Sequence, residues 1–158
     1  MKRKMMYSLI FLSLMACNKT PSVDCNSPTN DLALCKKLIL GKWEWVRTVT
    51  RIDTSATFTP KSLGHTVRYK FNSNGIVEFF VDGQLKDTSS YEFYDGSKYS
   101  KLDSGITYLR MKGCDYYGLI TFYNHTRDVR VKVCDDSLYL PYEALVYHTG
   151  NDFYSKVK

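Results

Sequence analysis

Residues 65–83 read HTVRYKFNSNGIVEFFVDG. Val67, Tyr69 and Phe71 alternate with Arg68 and Lys70, a period of two that puts the apolar side chains on one face of a strand. Asn72-Ser73-Asn74-Gly75 then supplies a turn, Asn-Gly being the strongest short hairpin signal. The return run places Val77, Phe79 and Val81 on one face and Glu78 on the other, with Phe80 interrupting the alternation. A hairpin with one apolar face must bury that face against something.

The same pattern extends along the chain. KWEWVRTVTRID precedes the hairpin, with Trp43 and Trp45 in alternation. After it come SSYEFYD, GITYLRMKG, YGLITFYN, DVRVKVCDD, SLYLPYE, ALVYH and DFYSKV. Asp82-Gly83, Asp95-Gly96, Asp103-Ser104-Gly105, Asp135-Asp136-Ser137 and Gly150-Asn151 punctuate them as turns. Short strands at regular spacing predict an all-β sandwich or barrel. The composition agrees, with 13 Tyr and 8 Phe interleaved with Val, Thr and Ile. One earlier stretch, SPTNDLALCKKLILGKW, has another period. Leu32, Cys35, Leu38 and Ile39 recur at helical spacing, Thr29 or Asn30 is placed to cap, and Gly41 stops the run. A helix over about 30–39 is expected.

The N-terminus is of another kind. Lys2, Arg3 and Lys4 precede an apolar run from Met5 to Met15. Eleven residues are about half of what a spanning helix needs, and the pattern is that of an export signal. Leu14-Met15-Ala16-Cys17 resembles the lipobox of bacterial lipoproteins. The resemblance implies cleavage before Cys17 and lipidation of that residue with diacylglycerol and a further acyl chain such as palmitate. Several acyl chains anchor stably where one holds only marginally. The expected organisation is a signal peptide over 1–16, a lipid-anchored tether over 17–29 and one domain over 30–158. Cleavage removes 16 of 158 residues, and with Lys2, Arg3 and Lys4 gone the formal charge falls from +6 to +3. That modest excess is spread along strands, and no basic stripe accompanies a nucleic-acid motif. Nucleic acid is therefore not an expected partner.

Five cysteines are present. With Cys17 assigned to lipid, Cys25, Cys35, Cys114 and Cys134 remain, an even number in an exported domain and so a disulfide set. Four cysteines allow three pairings. A hairpin centred on Asn124, inside YNHTRD, would bring Cys114 opposite Cys134 and leave Cys25 for Cys35. That pairing is the expectation. A metal site is not expected, because no CxxC is present and His65, His125 and His148 are scattered.

A short helix, then Gly41-Lys42-Trp43 opening the first strand, then about eight antiparallel strands with a late SLYLPY, resembles the lipocalins. In particular it resembles the small lipocalin-like lipoproteins of Gram-negative bacteria. The resemblance spans residues 36–157. It implies an antiparallel up-and-down β-barrel of about eight strands preceded by a short N-terminal helix. It also implies that Trp43 packs across the closed end, with Gly41 before it and a basic side chain stacked on it. Lys156 is the candidate for that side chain. Tyr69, Phe71, Phe79, Tyr91, Phe93 and Tyr108 are the candidate lining of the barrel. The expected location is the bacterial cell envelope, at the outer membrane facing the periplasm.

Two functional classes follow. In one, the barrel binds a small hydrophobic ligand. In the other, a filled barrel engages an envelope protein through its loops, the polar segment Asp53–Lys61 being the candidate contact. Catalysis is not expected. There is no G-x-S-x-G and no HExxH, Glu78, Glu92 and Glu143 stand alone in strand patterns, and no cofactor motif is present. Asn124-His125-Thr126 reads as a glycosylation sequon, which has force only in a eukaryotic secretory setting.

Overall fold

A computed structural model describes residues 22–50, 56–98, 100–112, 116–117, 120–121, 127–143 and 149–158. Helix α1 (Leu32–Leu38) leads into β1 (Gly41–Thr50), β2 (Thr57–Phe58), α2 (Pro60–Leu63), β3 (Val67–Phe71), β4 (Ile76–Val81) and β5 (Gln84–Asp95). After two short 3-10 turns come β6 (Thr107–Lys112), β7 (Tyr116–Tyr117), β8 (Ile120–Thr121), β9 (Arg127–Arg130), β10 (Lys132–Val133), β11 (Ser137–Glu143) and β12 (Thr149–Lys156). Every ladder is antiparallel.

The order of pairing makes a barrel. β3 pairs β1 and β4, β4 pairs β5, and β5 pairs β6. β6 pairs β9, β10 pairs β11, and β12 pairs β11 and β1. β9 and β10 are one run of chain divided at Val131, whose N–H donates to the Thr107 carbonyl at 3.0 Å. That run pairs with β6 through β9 and with β11 through β10, and so brings the two ends of the sheet together. Counting β9 and β10 as one strand, eight strands run round a nearly closed, up-and-down, all-β barrel among the described residues. Closure removes the exposed edges that an open sheet would present.

Two bulges explain where strict alternation fails. In β1, Trp45 faces Tyr154 and Arg47 faces Phe153, leaving Val46 as an extra residue. Trp43, Trp45 and Thr48 are therefore all buried, while Val46 and Arg47 are exposed. Between β4 and β5, Phe79 faces Asp87 but Phe80 faces Leu85. The register shifts just where Phe80 breaks the pattern. The Asp82-Gly83 turn has φ of 49° and 77°, the left-handed pair that a two-residue hairpin requires. The Asp82 carboxylate holds it by accepting from the Thr66 N–H at 2.7 Å.

Helix α1 closes one end. Its cap is Asp31, whose side chain accepts from the Leu34 N–H at 2.8 Å. Thr29 and Asn30, expected as caps, are engaged elsewhere. Thr29 exchanges two backbone hydrogen bonds with Val133, at 2.9 and 3.0 Å, and the Asn30 carbonyl accepts from the Thr107 hydroxyl.

The disulfide pairing differs from the expectation. Cys25 bonds Cys134, with Cα atoms 5.1 Å apart, and Cys35 is a free buried thiol. Cys114 lies outside the described residues. The reason is the position of the reversal after β6. Leu109 pairs with Val129, so partners sum to 238 and the reversal centres near residue 119, not on Asn124. Cys134 instead ends β10 at a tight turn, where its N–H donates to the Ser137 carbonyl at 2.9 Å. The N-terminal segment lies along that turn. The Val23 N–H and the Ser22 hydroxyl donate to Asp135 at 3.1 and 2.6 Å, which brings Cys25 to Cys134. Those bonds hold the Asp135 carboxyl below its ordinary range, Ser22 contributing most. Burial pushes the Cys35 thiol up to about 12, beyond the smaller opposing effect of a hydrogen bond with Thr107, which keeps it protonated and unreactive.

Non-reducing peptide mapping is expected to recover a Cys25–Cys134 peptide, with Cys35 alkylated only after denaturation. Replacing both bridged cysteines with serine is expected to lower stability in urea by about 2–5 kcal/mol, since the bond closes a long loop. A Cys114–Cys134 peptide would overturn the assignment.

Candidate functional site

The barrel interior has two layers of different chemistry. Toward the α1 end it is aromatic. Tyr69 and Phe79 are fully buried and Phe71 nearly so. Their centroids stand 5.2 Å (Tyr69–Phe79) and 5.9 Å (Tyr69–Phe71) apart, and Tyr154 joins Tyr69 at 5.4 Å. Tyr91 meets Phe71 edge-on at 5.1 Å and Phe93 at 5.9 Å. Tyr91 and Phe93 are partly buried against this cluster. The Tyr91 hydroxyl donates to the Asn72 carbonyl at 2.7 Å, and burial raises its ionisation above the ordinary tyrosine range. Edge-on and tilted aromatic pairs contribute about 0.5–1.5 kcal/mol each beyond their buried area.

Five of the six candidate lining residues thus pack on one another, each filling the space beside the next. Tyr108 does not join them. It sits between inward Thr107 and Leu109, so the pleat turns it to the outer face. There it stacks on Tyr94 at 5.7 Å, and its hydroxyl accepts from Arg130 Nε at 3.0 Å. The strand around it reads ITYLRM, in which aromatic and aliphatic residues occupy both phases. Periodicity alone therefore did not separate the faces.

Gly41, Trp43 and Lys156 meet at the α1 end. Lys156 pairs with Trp43 across β1 and β12. Its Nζ lies 5.1 Å from the Trp43 ring centroid and donates to the Leu38 carbonyl at 3.0 Å. Trp43 Nε1 donates to the Ile39 carbonyl at 2.5 Å. One cation therefore ties the last turn of α1 to the indole beneath it. Gly41 has φ 110°, a conformation that side-chain-bearing residues rarely adopt, and a Cβ there would stand 3.7 Å from the Lys156 stem.

Toward the opposite end the interior turns polar. Trp45 Nε1 donates to the Thr48 hydroxyl at 3.0 Å, and that hydroxyl donates to Asp152 Oδ1 at 2.5 Å. Trp45, Thr48 and Asp152 are all buried. His65 stacks on Trp45 with centroids 6.3 Å apart, and its Nδ1 lies 3.2 Å from the Leu63 carbonyl. Buried Ser89 donates to the Lys112 carbonyl. Above this layer Phe58 and Leu63, from β2 and α2, pack on the core. α2 is a single turn capped at both ends, by Thr59 and by Gly64 at φ 73°.

The sequence reading missed Thr48 and Asp152. Their signal was present in part. Asp152, Tyr154 and Lys156 alternate through DFYSK, but a carboxylate that opens a strand just after a Gly-Asn turn signal gives no sign of facing inward. Thr48 reaches the interior only because of the bulge at Val46.

Outside the barrel, Glu78 accepts from Lys70 Nζ at 2.8 Å and from Asn72 Nδ2 at 2.8 Å. These contacts, Lys70 first, hold its carboxyl below the ordinary glutamate range. Glu44 pairs with Arg68 at 3.2 Å on the same outer face. Such surface pairs contribute little to stability. Among the described residues, one trio of metal-ligating types converges, Cys25, Cys134 and Asp136. Its two sulfurs are joined in the disulfide and are not free thiolates. Cys17, the lipidation candidate, lies outside the described residues, as do residues 53–55 of the candidate contact loop and His125 and His148. No family model, curated protein or solved structure matches this chain.

Two measurements check this geometry. In a double-mutant cycle by urea denaturation, Trp43→Leu and Lys156→Met are expected to couple by about 0.5–2 kcal/mol. Thr48→Val is expected to destabilise by about 1–3 kcal/mol, because the Trp45 N–H and the Asp152 carboxyl both lose a buried partner. Additive effects at Trp43 and Lys156, or a neutral Thr48→Val, would contradict the contacts described.

Proposed function

We propose that this chain is a lipid-anchored, non-enzymatic, lipocalin-like binding protein of the bacterial envelope, held by acylated Cys17 at the outer membrane. It takes a small, largely apolar molecule into the half of the barrel away from Trp43. The observation that carries this reading is the hydrogen-bonded run Trp45–Thr48–Asp152 inside the barrel. A barrel filled only for stability gains most from aliphatic side chains at such positions, because buried polar groups add little net stability and cost heavily if a partner is lost. Polar groups within an otherwise apolar wall are the arrangement that orients a small ligand.

A second reading has its own support. Tyr69, Phe71 and Phe79 leave little of their half of the barrel open, which suits a solid scaffold that engages an envelope protein through its loops. Titration with N-phenyl-naphthylamine, a neutral apolar amine, separates the two. The binding reading expects saturable uptake at one site with quenching of Trp45, and affinity about tenfold weaker in Thr48→Val, as the loss of one buried hydrogen bond implies. An apo mass in protein purified from its host, together with no uptake of the probe, would overturn it. Crosslinking to one reproducible envelope protein would then favour the scaffold.

A further inference from the structure

The two ends of the barrel also differ in degree on the outside, Leu85 beside exposed Lys86 at the far end being 54 % exposed. At the α1 end, the loop between β5 and β6 carries Leu102, which is 92 % exposed, the most exposed large apolar residue among those described. Lys98 and Lys101 precede it and are exposed, the Lys98 Nζ standing 5.4 Å from the centroid of the Tyr94 ring. The carboxylates of this loop are both engaged. Asp95 accepts from the Ser97 and Gly105 N–H groups at 2.8 and 3.0 Å, and Asp103 pairs with Arg130 at 3.2 Å. What the loop offers outward is therefore one leucine directly preceded by a lysine, with a second lysine beside Tyr94.

The N-terminal segment reaches the same end. Ser22 and Val23 are fastened to Asp135, Cys25 is bonded to Cys134, and the Asn30 carbonyl accepts from Thr107, at the foot of the strand that follows the Leu102 loop. α1, with exposed Lys36 and Lys37, packs beside β5 on this rim. Cys17 precedes Ser22 by five residues. Even fully extended, that stretch spans at most about 18 Å. An acyl anchor at Cys17 therefore cannot let the barrel stand far from the bilayer or turn its other end toward it.

We infer that the α1 end of the barrel is a docking face for an anionic bilayer surface, with Leu102 entering the interface and Lys98 and Lys101 among the headgroups. The inference rests on the anchored reading above and adds to it an orientation and a contact. Lysine beside an exposed apolar side chain is the pattern of interfacial binding, the cations drawn to anionic lipid and the apolar group buried at the acyl boundary. The disulfide supplies the stiffness. It makes the start of the described chain part of the barrel, so the direction of the anchor and the direction of the docking face are one. The barrel half holding Thr48 and Asp152 then points away from the membrane that carries the anchor.

The test uses the full lipidated protein reconstituted in phosphatidylglycerol–phosphatidylethanolamine vesicles containing headgroup-level nitroxide lipid. In a Cys114→Ser background, Leu102→Cys or Ser62→Cys carries an environment-sensitive fluorophore, the second probe marking the opposite end. The label at 102 is expected to shift to the blue and lose most of its fluorescence to the nitroxide, while the label at 62 keeps its own. Lys98→Glu with Lys101→Glu, or raised salt, is expected to restore much of the signal at 102. An unquenched label at 102, or stronger quenching at 62, would overturn the docking face. So would self-quenching at 102 that rises with protein density and ignores the nitroxide, since a second copy would then occupy it. Mass spectrometry of the N-terminal peptide decides the anchor separately. An acylated peptide with an unquenched label at 102 defeats the docking and leaves the anchor standing. An unacylated peptide with a quenched label does the reverse.

Discussion

Residues 127–133 hold the architecture together, because they are shared. β9 takes hydrogen bonds from β6, and after Val131 the same run pairs with β11. Its sequence, RDVRVKV, has the clean alternation this demands, with Val129, Val131 and Val133 buried and Arg130 and Lys132 outside. A slip of one residue would turn all three valines to solvent and both cations to the core. Without this run, the edges of β6 and β11 would lie open, each a template for pairing with another chain. The clamp on it is covalent. Cys134 directly follows Val133, Thr29 bridges Val133, and Cys25 bonds Cys134. The disulfide thus holds the strand whose loss would open the barrel.

Much of this was legible in the sequence, and the parts that were not share a cause. Period-two runs located most of the described strands, although YGLITFYN, expected as one strand, holds the pairing of Tyr117 with Ile120 and ALVYH lies outside the described residues, and the Asn-Gly and Asp-Gly turns located two hairpins. The contact of Trp43 with Lys156 was expected only through the family resemblance, since no periodicity or spacing in the chain shows it. Pairing of cysteines was not readable, because it depended on where one hairpin turns. YNHTRD has turn composition, yet the ladder of Leu109 with Val129 puts the reversal some five residues earlier. Composition ranks candidate turns, whereas the register of the flanking strands chooses among them. That choice is made by burying Leu109, Met111, Val129 and Val131 together, a collective fact that no short window holds.

Tyr108 and Asp152 fail for a related reason. Sorting residues into inside and outside by type assumes that aromatic means inward and charged means outward. Tyr108 lies outside, where Arg130 stands 5.9 Å over its ring and supplies a polar partner for its hydroxyl. Asp152 lies inside, where Thr48 satisfies part of its carboxyl. Tyrosine has an apolar body and a polar tip, so either face can hold it. A buried carboxyl is tolerated only where its hydrogen bonds are met. In both cases the pleat decides, and the neighbours make the decision tolerable.

The bulge at Val46 is what gives the barrel two kinds of interior. Upstream of it, β1 presents Trp43 and Trp45 inward in ordinary alternation. Continued without a break, that alternation would next turn Arg47 inward and leave Thr48 outside. One extra residue reverses the phase. It places Arg47 over the outer ring of Phe153, 4.5 Å from its centroid, and it brings Thr48 between Trp45 and Asp152. The polar layer therefore does not require unusual residues; it requires one unpaired position in one strand. Bulges recur where a strand must re-aim a side chain. Here the re-aimed side chain is the one that links the indole to the carboxyl, in the half of the barrel where the aromatic packing ends.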